Sequence, residues 1–227
     1  AAEGAVTVEA RLREIRERMG DAALRAGRSP AAVTLVGVSK GQPVERLVEA
    51  RGAGVCDLGE NYVQQWREKR QVEALADVRW HFIGPLQSNK LATLAGQVAC
   101  IHSVDRAAWV DGLDRRLQQP QDVLIQVNIV GETTKSGCTP DDAPGLVTTA
   151  ARSAHLRPRG LMLIPPHCED PAETRPHHRA LRELADRCRE TLAGAGLDVS
   201  AFDMLSTGMS DDFEVAIEEG ATHVRIG

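Results

Sequence analysis

Apolar residues recur along the chain with two alternating periods. Between 7 and 27, Leu12, Ile15, Met19 and Ala22 or Ala23 fall on one helical face, with Glu and Arg between them. Gly27 and the Ser29-Pro30 pair end that helix. Beyond it, short apolar runs alternate with longer helical patterns. Strands are expected at 33–39, 55–58, 78–83, 98–102, 122–129, 159–163, 202–205 and 222–226. Helices are expected between them at 43–53, 61–76, 86–95, 106–117, 140–153, 172–193 and 211–219. The run VLIQVNI, β-branched and apolar, is the clearest strand, and Gly194 and Gly196 are the clearest helix stops. This alternation implies βαβ units and a parallel sheet. Eight strands close a barrel, so the expected fold is α/β, a single (β/α)8 TIM-type barrel over 1–227 with an extra N-terminal helix. A doubly wound open sheet shares the local pattern and is the alternative.

Composition narrows the function classes. A net charge of -5 with both signs interspersed gives no basic footprint for nucleic acid, and 3% aromatic residues leave no stacking surface for single strands. No apolar stretch approaches the roughly 20 residues of a membrane span. The opening AAEGAVTVEARLREIRERMG is amphipathic and charged, unlike a secretory signal. Cys56, Cys100, Cys138, Cys168 and Cys188 are odd in number, widely spaced and lack a CxxC pair. Neither a disulfide framework nor a zinc site is therefore expected; reduced thiols in the cytoplasm are.

In such a barrel, chemistry sits where strands end and βα loops begin. The expected strand ends supply Ser39-Lys40, Gly59-Glu60-Asn61, His81, His102-Ser103, Asn128, Ser206-Thr207-Gly208-Met209-Ser210, Arg225 and Gly227. An amine at Lys40 can form a Schiff base with an aldehyde such as pyridoxal phosphate (PLP), although a lone strand-end lysine is ordinarily only solvated. LSTGMSDD offers hydroxyls and backbone N–H groups at a helix start, which suit a phosphate; it also reads as a plain cap by Ser210 or Asp211. Arg225-Ile226-Gly227 ends the eighth strand, and strands seven and eight form the usual phosphate corner of such barrels. Closure would bring Lys40 beside that corner. Glu60-Asn61 reads equally as a helix cap or as support for a ligand. His177 and His178 are expected to be solvated, and Lys90 and Lys135 to face solvent, with Lys135 able to approach from its loop.

VSKGQP, GENYVQ, HFIGPLQSNK, VNI..E..K.G, GLMLIPP and LSTGMSDDFEVAIEEGATHVRIG, in order from about residue 12 to 227, resemble the pyridoxal phosphate homeostasis proteins. The resemblance implies a fold-type III PLP barrel like the N-terminal domain of alanine racemase, with PLP as cofactor. It implies Lys40 as the Schiff-base lysine, Arg225 against the pyridine nitrogen, Ser206 and Gly227 on the phosphate, and Asn61 and Asn128 lining the pocket; Gly208 belongs to the same phosphate turn. An arginine there disfavours pyridinium formation and weakens the ring as an electron sink. The family usually has methionine where this chain has Thr207, and usually continues past VRIG with small residues and phenylalanine. Racemases of this fold add a second, β-rich domain and a tyrosine four residues after the lysine; here that position is Val44, and no length is left for the domain. The expected protein is a monomer that holds PLP and delivers it, with PLP-dependent apo-enzymes as recipients and without efficient catalysis. The alternatives are a PLP-dependent amino-acid racemase and a PLP-free interaction protein.

Overall fold

The computed structural model describes residues 6–133 and 135–227. Among these, eight parallel strands close into a barrel in chain order. They are β1 (Thr34–Val38), β2 (Asp57–Glu60), β3 (Arg79–Phe82), β4 (Cys100–Val104), β5 (Gln121–Val127), β6 (Leu156–Leu163), β7 (Met204–Ser206) and β8 (His223–Ile226). α1 (Val8–Arg25) precedes β1, and α2 (Val44–Gly52), α3 (Val63–Lys69), α4 (Leu91–Leu94), α5 (Ala107–Asp114), α6 (Ala143–Arg152), α7 (Arg175–Gly194) and α8 (Phe213–Glu218) fill the crossovers. The barrel is thus the expected one, not the open sheet. Closure is made by β1 against β8, with Val36 opposite Arg225 and Gly37 opposite Ile226.

Thr7 caps α1, its hydroxyl accepting from Ala10 N–H. The buried stripe Ile15, Met19, Ala22, Ala23 packs on Phe213, Ala216 and Ile217 of α8 and on Val224 and Ile226 of β8. The extra helix therefore braces the closing strand from outside. The main core lies between the outer face of the barrel and helices α2 to α7. Its apolar residues follow the strand and helix periods that mark those segments in the sequence.

Most element boundaries shift from expectation, β6 for example beginning at Leu156 rather than 159 and β5 ending at Val127 rather than 129, and three of the shifts have a visible local cause. β2 starts at Asp57 rather than 55, because the N–H of Val55 closes the end of α2 on Ala50 O. The helix expected over 61–76 is only Val63–Lys69. Val72 is extended, and the segment resumes as a 3-10 turn at Glu73–Leu75. The helix expected over 86–95 shortens to α4, since Gln87 is extended and Ser88–Lys90 form a 3-10 turn. No described helix is long and apolar enough to cross a membrane.

Candidate functional site

Lys40 stands two residues past β1, exposed, with Nζ 5.9 Å from the centroid of the Tyr62 ring. What precedes it is fixed rigidly. Ser39 is buried; its N–H and hydroxyl both donate to Gly59 O, and the hydroxyl also lies 2.6 Å from Glu60 Oε2. The same carboxylate accepts from Lys69 Nζ at 2.7 Å, and that ammonium also donates to Ser39 O at 2.6 Å and to Gln65 Oε1. Glu60 Oε1 accepts from the N–H groups of Asn61 and Tyr62, just before α3. Glu60 is therefore a tether, joining the backbone that enters α3 to the strand end that carries Lys40, while Tyr62 holds the N-cap position of α3 without a side-chain cap bond. Lys69 is absent from the sequence reading, yet its signal is present: Val63, Trp66 and Lys69 share the buried face of α3.

Asn61 lies beside this tether, half-buried, with Oδ1 buried and, among the described residues, unpartnered. Its backbone packs so closely on Gly84 that a Cβ at residue 84 would sit 2.1 Å from Asn61 O. Gly84→Ala is expected to destabilise the protein by at least about 2 kcal/mol, because backbone rather than a side-chain tip must yield. A melting temperature equal to the parent's would refute that steric argument. Asn128, by contrast, spends its amide on its own loop, donating to Glu132 O at 2.7 Å and accepting from Gly131 N–H at 3.1 Å. Lys135 is exposed and paired with Glu132 at 3.0 Å. Lys90 is half-buried.

The turn between β7 and α8 is shaped from below. Gly208 adopts φ +97°, and a Cβ there would lie 2.5 Å from Ala216 Cβ, so only glycine fits. Gly208 O accepts from Arg225 N–H, and Ser210 Oγ accepts from Gly227 N–H, joining the turn to the end of β8. The cap of this turn is Asp212, whose Oδ1 accepts from Met209 N–H at 2.8 Å, rather than Ser210 or Asp211. His178 is buried, not solvated. Its Nδ1 lies 2.7 Å from Thr207 Oγ1 and its Nε2 2.8 Å from Asp212 Oδ2. Thr207 thus has a polar partner in α7. The burial of His178 is in phase with Leu181, Leu184, Ala185, Cys188 and Leu192, and that signal is legible in the sequence.

Inside the barrel runs a line of polar groups. Arg225 donates from Nη1 to Ser206 Oγ at 2.6 Å and from Nη2 to Leu163 O at 2.9 Å. Ser206 Oγ lies 2.9 Å from His102 Nδ1, His102 Nε2 lies 2.8 Å from His81 Nδ1, and His81 Nε2 lies 2.9 Å from Asp57 Oδ1. β4 and β7 are not neighbours, so the His102–Ser206 bond crosses the interior. Burial first, then the charges of His81, Arg225 and His223, drives the pKa of His102 well below the ordinary histidine value. Burial likewise lowers His223 to about 4. Burial would raise Asp57, but hydrogen bonds from His81 and Arg79 outweigh it and lower the carboxyl to about 2. Cys100 lies with His81 and His102 in a buried group whose ligand-type atoms are within 4.8 Å of one another. The facing ring nitrogens already bond each other, which accounts for their approach.

Arg225 is buried and, among the described residues, pairs with no carboxylate; burial lowers its pKa to about 10. A buried cation whose nearest partners are a hydroxyl and a carbonyl leaves an electrostatic deficit that an anion would fill. The donor set suits a phosphorylated aldehyde: a lysine amine and an unpartnered Asn61 carbonyl on one side, and a glycine turn, a serine and an arginine on the other.

The profile of the alanine racemase N-terminal domain family matches residues 9–227. The chain is 43% identical over 224 residues to a pyridoxal phosphate homeostasis protein of Pseudomonas aeruginosa, covering 97% of this chain and 93% of the relative. PipY of Synechococcus elongatus, solved with PLP bound, superposes with a TM-score of 0.79 at 34% identity, over 94% of this chain and 97% of PipY. Alanine racemase from Corynebacterium glutamicum shares the fold at TM-score 0.67 and 13% identity, over 95% of this chain but 59% of the racemase.

Proposed function

Because the chain belongs to the family of pyridoxal phosphate homeostasis proteins, we propose that it binds PLP as a Schiff base on Lys40 and holds the cofactor for delivery to apo-enzymes rather than turning over amino acids efficiently. The observation that carries this reading is the buried, carboxylate-free Arg225, on β8 beside the strand that presents Lys40, with Ser206 bonded to it from β7. In this reading Arg225 and Ser206 form the floor, and Gly208 and Gly227 let backbone approach the phosphate. Asn61 faces the ring with its spare acceptor, and the Glu60–Lys69 pair keeps Lys40 aimed. The cofactor, when bound, supplies an aldehyde and a conjugated ring. An arginine beside the ring nitrogen withholds the proton that would make that ring a strong electron sink. Tyr62, the chain's one tyrosine, is 50% exposed and so is poorly placed to work as a shielded base. The five free thiols fit a reducing, cytoplasmic setting.

Adding PLP to the purified protein is expected to produce an absorption band near the visible edge. Borohydride should then fix the adduct on the peptide containing Lys40. Lys40→Ala should lose both band and adduct while retaining its fold by circular dichroism. An adduct that survives on another lysine, Lys135 first, would refute the assignment. Exchange of the α-proton of alanine or serine at an ordinary enzymatic rate, on the order of 1–10³ per second, would refute the carrier reading.

A further inference from the structure

The line from Arg225 to Asp57 has a fixed polarity. A guanidinium only donates and an ionised carboxylate only accepts. With both imidazoles neutral, one proton order satisfies every bond: Arg225 to Ser206, the Ser206 hydroxyl to His102 Nδ1, His102 Nε2–H to His81 Nδ1, and His81 Nε2–H to Asp57. Asp57 begins β2 and Ser206 ends β7, so the line runs from the bottom of the barrel to its top. Asp57 is held ionised by Arg79, whose Nε and Nη2 reach its two oxygens at 3.0 and 2.8 Å.

In that order Ser206 has no hydrogen left for a ligand. Its oxygen accepts from Arg225 and its proton is committed to His102. A phosphate dianion only accepts, so Ser206 must turn its proton toward it, and His102 must then donate to Ser206 from Nδ1. His102 Nε2 becomes an acceptor, His81 must donate from Nδ1, and His81 Nε2 still faces the carboxylate. Only a doubly protonated His81 satisfies both. The groups facing the two rings allow this. Asp57 from β2 holds the opposite charge, Arg79 is spent on it, and His223 and Arg225 from β8 carry no acceptor that bonds the rings. Burial pushes the Cys100 thiol of β4 up, which keeps it neutral, and Asp122 of β5 and Arg159 of β6 pair with each other at 3.0 Å.

We propose that His102 and His81 are positioning residues that couple anion binding at Ser206 to the uptake of one proton. This rests on the reading of Ser206 as the phosphate ligand. The balance is a relay. One proton enters at Ser206 from the site, the serine's own proton passes to His102 Nδ1, and the Nε2 proton of His102 passes to His81 Nδ1. The new imidazolium is neutralised against Asp57, and one positive charge has been added beneath the dianion.

The test uses the full chain labelled with ¹⁵N-histidine, in chelator, at about pH 8.5, where phosphate is a dianion. Long-range proton–nitrogen correlation should show both His81 and His102 as Nε2–H tautomers before addition. Saturating inorganic phosphate should convert His102 to Nδ1–H and His81 to the doubly protonated form. Calorimetry in buffers of different ionisation enthalpy should register about one proton taken up per phosphate, and affinity should fall about tenfold per pH unit on raising the pH. His81→Gln should still bind phosphate, about tenfold more weakly, with no proton uptake and a flat pH dependence. Phosphate that binds with both rings unchanged would overturn the coupling while leaving Ser206 as the ligand. Failure of phosphate to bind at all would overturn both, whereas the trapping of PLP on Lys40 is decided independently.

Discussion

Lys69→Met is expected to lower the unfolding free energy by about 3–5 kcal/mol, the range for removing one partner of a buried ion pair. Glu60 is fully buried, and the Lys69 side chain is 7% exposed. Their attraction offsets the cost of taking two charges out of water; without the ammonium, the carboxylate remains in the interior with only Ser39 and two N–H groups. Methionine matches the volume, so the loss is electrostatic rather than a cavity. The double variant Lys69→Met, Glu60→Leu should recover much of the loss, because no unpaired charge is then buried. Urea midpoints of the three variants decide the matter. A single variant within about 1 kcal/mol of the parent would mean that Glu60 finds another partner or takes up a proton. The single variant should also trap PLP more slowly, since Ser39 O keeps only the Gln42 N–H of its two donors and the strand end holding Lys40 loosens.

Stability is expected to fall steeply as pH drops from about 6.5 toward 4. His102 and His223 are held neutral in the folded protein, His223 with a pKa lowered to about 4 and His102 well below the ordinary value. In the unfolded chain both titrate near 6.5. Above that pH neither form is charged and the native advantage is intact. Below it, the unfolded chain takes up protons that the native rings refuse, at about 1.4 kcal/mol per pH unit for each ring. The two together give a slope of about 2.7 kcal/mol per unit, and His223 alone contributes about 3 kcal/mol by the acid end. Asp57 acts in a lower window. Its pKa is lowered to about 2, so its contribution is whole above the ordinary carboxylate value and is lost only as pH falls toward 2. Denaturant midpoints between pH 7.5 and 4.5 test this. A flat profile from 7 to 5 would mean that the rings are charged in the native barrel. His223→Gln should flatten the profile by about half.

Much of the architecture is legible in the chain because it is local. The stripe Ile15, Met19, Ala22, the run VLIQVNI and the glycine stops each report a period or a backbone preference that holds wherever the segment is placed. The strand-end position of Lys40 and the proximity of β8 follow from counting to eight, because closure of a parallel barrel makes the first and last strands neighbours. Where boundaries slipped, at β2 and α3, a hydrogen bond from outside the segment decided: Val55 on α2, and Glu60 on the N–H groups before α3.

The polar partnerships are another matter. His81 and His102 carry no mark that sets them against Asp57 or Ser206. His102 and Ser206 lie 104 residues apart, and their bond crosses the barrel interior. His178 reads as a polar residue at a helix start, although it is the post on which Thr207 and Asp212 rest. The sequence by itself determined the elements, the count that closes the barrel and the lysine at its rim, since period, propensity and chain order are properties of neighbours along the chain. Only the tertiary structure decided which buried polar groups share protons, because each must find its partner in a water-free interior, and that partner comes from whichever strand the closed barrel brings opposite.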